Sequence, residues 1–237
     1  MFGNNLVGSR KVAALGAEFL GTGVLTYVLL TVQHSSIGVS YFIALAMALT
    51  LAVLTFVFVG HSGAHMNPVV TLGLALTRQV KLAVVPVYWV VQLFGAWCAY
   101  ELFHYLFQHP VQALYQNGAA WEPHTFFAEL VGAFVFTFAW AAALYSRNKG
   151  WVFSATVGLA FAVGIFIAAV AGFGLINPAL ALGTRAWHIW SAAGWGTYVA
   201  GPVAGAVVGF VLYDIVFAGK KYFVASGSSS SSVASKA

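Results

Sequence analysis

Charge is what this chain lacks first. Only 6% of its 237 residues are Asp, Glu, Lys or Arg, while 61% are hydrophobic and the mean hydropathy is +0.89. A soluble globular domain carries about 25% charged residues, so this composition excludes one and identifies an integral membrane protein. Cysteine is nearly absent as well. The single Cys98 excludes an internal disulfide, argues against a cysteine metal site, and reads as a small buried hydrophobe. Alternating ~10-residue segments typical of a β-barrel are missing; dispersed glycine among long Val/Ala/Leu/Phe runs suits close-packed helices instead. No nucleotide loop or nucleophile–base arrangement is present, so an enzyme is the least favoured class and no cofactor is expected.

Six long apolar spans can be read, at about Val12–Thr31, Tyr41–Gly60, Ala83–Phe107, Thr125–Tyr145, Trp151–Gly172 and Thr197–Phe217. Each approaches the ~20 residues needed to cross ~30 Å of hydrocarbon. The amino-terminal stretch has no features of a removed signal peptide, so the first span is expected to stay. The pI near 9.4 could suggest nucleic acid, but the cations lie in small loop groups. Arg10, Lys11, Arg78, Lys81, Arg147, Lys149, Lys220, Lys221 and Lys236 fall on one face of this topology and only Arg185 on the other. The positive-inside rule makes that face cytoplasmic and puts both termini there, in a cell (plasma or inner) membrane. The tail ASGSSSSSVASKA reads as disordered.

The two halves repeat. AEFLG at Ala17–Gly21 matches AELVG at Ala128–Gly132, and SGAHMNPVVTLG at Ser62–Gly73 returns as FGLINPALALG at Phe173–Gly183. From Glu18 to Asn67 is 49 positions, and from Glu129 to Asn177 is 48. Three spans per half is an odd number, so the second half enters the membrane from the opposite side. The implied units are 1–115, 116–218 and a cytoplasmic tail at 219–237. The fold class expected is an all-α membrane protein with six transmembrane helices and two re-entrant half-helices in an inverted 3+3 repeat.

Proline defines the half-helices. Pro68 and Pro178 suit a first helical turn, where the missing N–H costs nothing, and each pushes its preceding Asn into a cap position. Each run after Asn-Pro then starts at mid-membrane and ends near Arg78 or Arg185. Non-helical backbone at that depth is tolerated only inside protein or along a wet cavity. Two opposed helix amino ends bring ~+0.5 charge each to the midplane, and Asn67 and Asn177 add amide donors. The residues before them, Gly63, Ala64, His65 and Met66 in one half and Gly174, Leu175 and Ile176 in the other, would turn carbonyls toward a lumen. A narrow polar track with greasy walls results.

These boxes, with the paired AE spans, YWVVQLFGA at Tyr88–Ala96 and GWGTYVAGPVAGAVVG at Gly194–Gly209, resemble the major intrinsic protein family of aquaporins and glycerol facilitators. The resemblance covers all but the first ten and last twenty residues. It implies a passive pore for water or other small uncharged solutes (glycerol, ammonia), one in each protomer of a homotetramer embedded in lipid. It places Asn67, Pro68, Val69, Asn177, Pro178 and Ala179 at the pore midplane, and makes Glu18 and Glu129 braces for the half-helix loops. An intramembrane carboxylate must in any case find a partner in protein or water. Val69 stands where Ala is commoner.

The chain departs from the family at the constriction. The position after the second Asn-Pro-Ala, usually arginine, is Leu180, and ungapped counting puts the other filter positions at Met47, Ile165 and Gly174. Arg185 lies eight residues beyond Asn177, too far to substitute. An apolar ring that is tight gates by dewetting. The alternative reading is therefore an aquaporin-fold structural or junction protein with a closed or very low-conductance pore. A secondary transporter also uses inverted repeats and broken helices, but its coupling group at the midplane is missing.

Other polar residues have plainer readings. His61 and His65 are four apart with no Cys, Asp or Glu in their loop, so no metal is expected. His65 is expected to hold the loop through its ring, and a pH-sensitive gate at His61 is a less favoured reading. Glu101 and His104 could pair on one helix face. Trp121, Trp151, Trp187 and Trp190 fit interfacial anchors.

Overall fold

The computed structural model describes residues 9–35, 40–108, 121–146, 150–186 and 191–218, and every regular element among them is helical. The tail at 219–237, Arg147, Lys149, Trp187 and Trp190 lie outside the described residues. Helix α1 is Ser9–Gln33, α2 Ser40–Ser62, α3 Pro68–Leu76, α4 Val84–Phe107, α5 Pro123–Tyr145, α6 Gly150–Ala168 and α7 Pro178–Gly183. A final run from Ala192 to Ala218 combines α8 (Ala192–Trp195), a π segment (Gly196–Ala200), α9 (Gly201–Tyr213) and a second π segment (Asp214–Ala218).

Helices α1, α2, α5, α6 and the final run are each long and apolar enough to cross a membrane. Helix α4 has 24 residues, ~36 Å of helix, but Gln92, Glu101 and His104 dilute its apolarity. The last span is less regular than a plain apolar helix over Thr197–Phe217. Pro202 donates no N–H and crowds the carbonyl four residues back, and the π segment just before it accommodates the misfit. Helix α6 stops at Ala168 rather than running on to Gly172. The Thr125 hydroxyl of α5 donates to the Ala171 carbonyl at 2.7 Å, holding the chain where it leaves the helix.

The half-helices α3 and α7 are shorter than their apolar runs, at nine and six residues. Threonine ends both: Thr77 donates to the Gly73 carbonyl at 2.9 Å, and Thr184 to that of Leu180 at 2.8 Å. Each of these carbonyls also accepts from the threonine's own backbone N–H, at 3.0 and 2.9 Å, so the hydroxyl is a second donor that closes the stub.

Helix α5 packs along α9, α2 along α6, and α1 along α4, while α3 lies against α9 and α4, and α7 against α4 and α1. Each stub thus rests partly on spans of the opposite half. Lipid offers no hydrophobic drive for helix association, so close backbone approach through small residues supplies the packing. A Cβ on Gly205 would stand 2.1 Å from the Leu130 carbonyl oxygen, and one on Gly95 2.3 Å from that of Phe19. Leu45, Leu49, Val53 and Phe56 of α2 face outward, as lipid contact requires.

Gly205→Ala forces α9 off α5 and should lower stability by about 1–3 kcal/mol, the range for overpacking. Gly16, inside α1 with nothing within 4 Å of its would-be Cβ, gives the contrast: Gly16→Ala should be neutral or stabilise by up to ~1 kcal/mol. Thermal unfolding of both variants in detergent checks the pair, and equal shifts would contradict the packing described.

Candidate functional site

The site begins with two asparagines in extended backbone. Asn67 (φ −156°, ψ 123°) and Asn177 (φ −149°, ψ 109°) cap α3 and α7, each accepting at Oδ1 from the backbone N–H two residues on. The distances are 3.0 Å from Val69 and 2.9 Å from Ala179. Proline at the first helical position and Asn at the cap therefore act together, as their order in the chain requires. The amide groups then cross. Asn67 Nδ2 donates to the Ile176 carbonyl at 3.1 Å, and Asn177 Nδ2 to the Met66 carbonyl at 2.9 Å. The two stubs therefore meet amino end to amino end, and each Asn keeps one N–H beyond the capping and crossing bonds.

Met66 and Ile176, which receive those bonds, have left-handed backbone at φ 46° and 44°. This is costly for a non-glycine residue and most of all for β-branched isoleucine. Each is pinned from both sides. The Met66 N–H donates to Glu18 Oε2 at 2.7 Å and the Ile176 N–H to Glu129 Oε2 at 2.6 Å. The other carboxylate oxygens accept from His65 N–H at 2.9 Å and Leu175 N–H at 2.8 Å. Both glutamates are fully buried, and these backbone donors are the partners that burial demands. Glycine eases the loop entries, with Gly63 at φ 91° and Gly174 at φ 64°. Side chains then fill the spaces left: a Cβ on Gly21 would meet Met66 Cε at 2.4 Å, and one on Gly164 would meet Ile176 Cδ1 at 2.6 Å.

The two braces differ in one respect that the repeat conceals. Gln92 of α4 donates through Nε2 to Glu18 Oε2 at 2.8 Å and to the Thr71 hydroxyl at 3.1 Å. His65 Nδ1 reaches the same hydroxyl at 3.1 Å, and its ring lies 5.1 Å from that of Tyr88. Tyr88 donates to the Ser62 carbonyl at 3.1 Å, and Trp89 Nε1 to the Pro68 carbonyl at 2.9 Å. A polar cluster thus backs the first loop; the second loop has Leu175 and Ala181 where the first has His65 and Thr71. The motif alone points to His65 as a loop support but assigns no role to Gln92. Its one signal was an amide side chain inside a long apolar helix.

The residues counted as filter positions are all interior. Met47 (0% exposed), Ile165 (3%) and Leu180 (1%) belong to one buried cluster with Leu175 and Ile176, and Gly174 is buried beside Ile165. A Cβ on Gly174 would come 2.6 Å from the Ile165 carbonyl oxygen, so only glycine fits there. Arg185 lies away from them. Its guanidinium sits 3.7 Å from Glu101 Oε1 and 4.2 Å over the Tyr100 ring, both on α4. Glu101 is therefore paired with Arg185, not with His104, whose ring stacks on Tyr100 at 6.0 Å. The helix-face spacing allowed the Glu–His pair, but α7 brings a full cation within reach. His61 is exposed at the end of α2, and Trp121 and Trp151 are exposed near helix starts. Among the described residues no cluster of His, Cys, Asp or Glu has metal-binding geometry.

Known proteins resemble this chain in sequence and in fold. The sequence model described as "Major intrinsic protein" matches residues 6–213. Aquaporin NIP2-1 of Zea mays is 36% identical over 165 residues, covering 67% of this chain and 54% of the relative. Aquaporin NIP1-1 of Oryza sativa subsp. japonica is 31% identical over 210 residues, covering 84% and 72%. The chain thus spans about half the length of NIP2-1 and nearly three quarters of NIP1-1. In three dimensions it is similar to the X-ray structure of the aquaglyceroporin from Plasmodium falciparum, with a TM-score of 0.72 and 25% identity over 90% of this chain and 99% of that one. Two capped stub helices locked end to end inside a bundle of apolar spans, together with these matches, make the chain an integral membrane protein and a member of the major intrinsic protein family.

Proposed function

We propose that the protein is a passive channel that lets water or other small uncharged solutes, such as glycerol or ammonia, cross the membrane. The observation that carries the reading is the crossed pair of Asn amides at the meeting point of α3 and α7. Each amide is held rigid by its cap bond and its crossing bond, so its remaining N–H is a preorganised donor at mid-membrane. Two helix amino ends converge on the same point and disfavour cations there. Left-handed Ala64, Met66 and Ile176 turn carbonyls that can accept from a solute on either side of the midplane.

Selectivity falls to Met47, Ile165, Gly174 and Leu180. Their ring is apolar, so a solute loses hydrogen bonds on entering it and finds only the Gly174 carbonyl there. Leu180 supplies no charge where a family arginine repels cations. A unit charge at ~4–8 Å with an effective dielectric near 20 is worth ~2–4 kcal/mol, so exclusion here rests on the midplane alone. The protein works as a homotetramer with one pore per protomer and both termini cytoplasmic. A nearly closed pore is the second reading, favoured by the almost complete burial of Met47, Ile165 and Leu180.

Purified protein in liposomes, followed by stopped-flow light scattering, separates the two readings. A channel gives water, glycerol or ammonia permeability above that of empty vesicles; equality with empty vesicles for all three defeats the channel reading. Leu180→Arg should lower any cation leak by roughly 30- to 1000-fold and narrow the solute range. An unchanged profile would remove Leu180 from the filter. Glu129→Leu leaves the Leu175 and Ile176 N–H groups unpaired at ~1–3 kcal/mol each, so it should abolish flux and lower the unfolding temperature. Retained flux would show that the brace is dispensable.

A further inference from the structure

Threonine in a membrane helix usually returns its hydroxyl to the carbonyl one turn back, because nothing else in hydrocarbon will take the proton. This chain follows that rule closely. Thr26, Thr31, Thr50, Thr71, Thr137 and Thr156 each donate to the carbonyl four residues earlier, at 2.7 to 3.2 Å. Thr55 of α2 does not. It is fully buried (0% exposed), and its Oγ1 has no hydrogen-bond partner among the described residues. Thr22 of α1 shares that condition. Leaving a buried hydroxyl unpaired is costly, so Thr55 and Thr22 are the two threonines among the described residues whose buried Oγ1 calls for a partner beyond the protein's own groups.

The repeat says what that partner is for Thr55. Thr55 precedes Asn67 by twelve residues, and Ile165 precedes Asn177 by twelve. Both sit on equivalent helices, α2 and α6, which pack against each other. Thr55 therefore occupies, on the opposite side of the midplane, the place that Ile165 occupies at the apolar ring. The neighbours in that second ring by the same count are Ala64, Val70 and Val157, all buried and all apolar. The hydroxyl is the one side-chain polar group among those four.

We propose that Thr55 is a solute-contacting, specificity-determining residue, whose hydroxyl hydrogen-bonds molecules passing through the half of the pore on the α3 side. The inference rests on the channel reading above. It makes the pore unequal: an alkyl ring on the side of α7, and a ring with one donor-acceptor on the side of α3. A hydroxyl serves solutes that both give and accept hydrogen bonds, water and polyols, and gives little to a weakly hydrogen-bonding molecule such as dissolved carbon dioxide. Being unattached to the backbone, it turns freely to follow each molecule.

Thr55→Val keeps the shape and removes the hydroxyl. In liposomes it should cut water and glycerol permeability roughly two- to tenfold, the factor for one lost hydrogen bond, with carbon dioxide flux and unfolding temperature unchanged. Thr55→Ser should restore most of the loss. Thr50→Val, on the same helix but with its hydroxyl already tied to Ala46, should leave all fluxes as they were. Wild-type conduction that Thr55→Val leaves unaltered, or a loss that Thr50→Val reproduces, overturns the assignment. Failure of the channel reading looks different: wild-type vesicles then match empty ones before any variant is compared.

Discussion

Two left-handed residues at the meeting point of the stub helices hold this structure together. Met66 and Ile176 each adopt a backbone conformation that their side chains disfavour, and each is locked there by a carboxylate on its N–H and an asparagine amide on its carbonyl. The carboxylate comes from the first helix of the same half, Glu18 for Met66 and Glu129 for Ile176. The amide comes from the other half. One residue thus joins a bracing helix, its own stub and the opposite stub. Remove the carboxylate and the two loop N–H groups it accepts from are left unpaired in the protein interior, so brace, loop and crossing amide depend on one another.

The rest of the fold serves that junction by getting backbones close. Glycines at the α5–α9 and α1–α4 crossings let carbonyl oxygens come nearly to van der Waals contact, which brings the stubs within hydrogen-bond reach of one another. Their outer ends are fastened by unlike chemistry. Beyond α3, Gln79 donates to the Tyr145 hydroxyl at 3.2 Å, and Tyr145 donates to Asp214. Beyond α7, Arg185 pairs with Glu101 over Tyr100. Both fastenings reach helices of the opposite half, α5 and the final run for α3, and α4 for α7. The two halves are therefore interlocked at their edges as well as at their centre.

Much of this was legible in the residues. Asn before Pro, twice, at matched distances from a buried Glu, dictates a cap, a stub and an inverted partner, because proline geometry and membrane desolvation leave few other solutions. Glu18 and Glu129 were legible for the same reason: a carboxylate in an apolar span has to be satisfied. The lengths of the stubs were less so. Leu76 and Gly183 end them where Thr77 and Thr184 turn onto the preceding carbonyls, a choice that depends on local competition for hydrogen bonds. Nor did spacing along α4 decide the partner of Glu101, since the winning cation arrives from α7.

The sequence by itself determined the membrane class, the inverted repeat and the residues that cap the two stubs, because these follow from periodicity, charge and backbone chemistry. Tertiary structure decided which N–H meets which oxygen across the junction. It also decided that Gln92 joins only the first brace and that Thr55 keeps a free hydroxyl inside the bundle. Those outcomes turn on distances of a few tenths of an ångström between helices far apart in the chain, and such distances are set only when all the spans have packed.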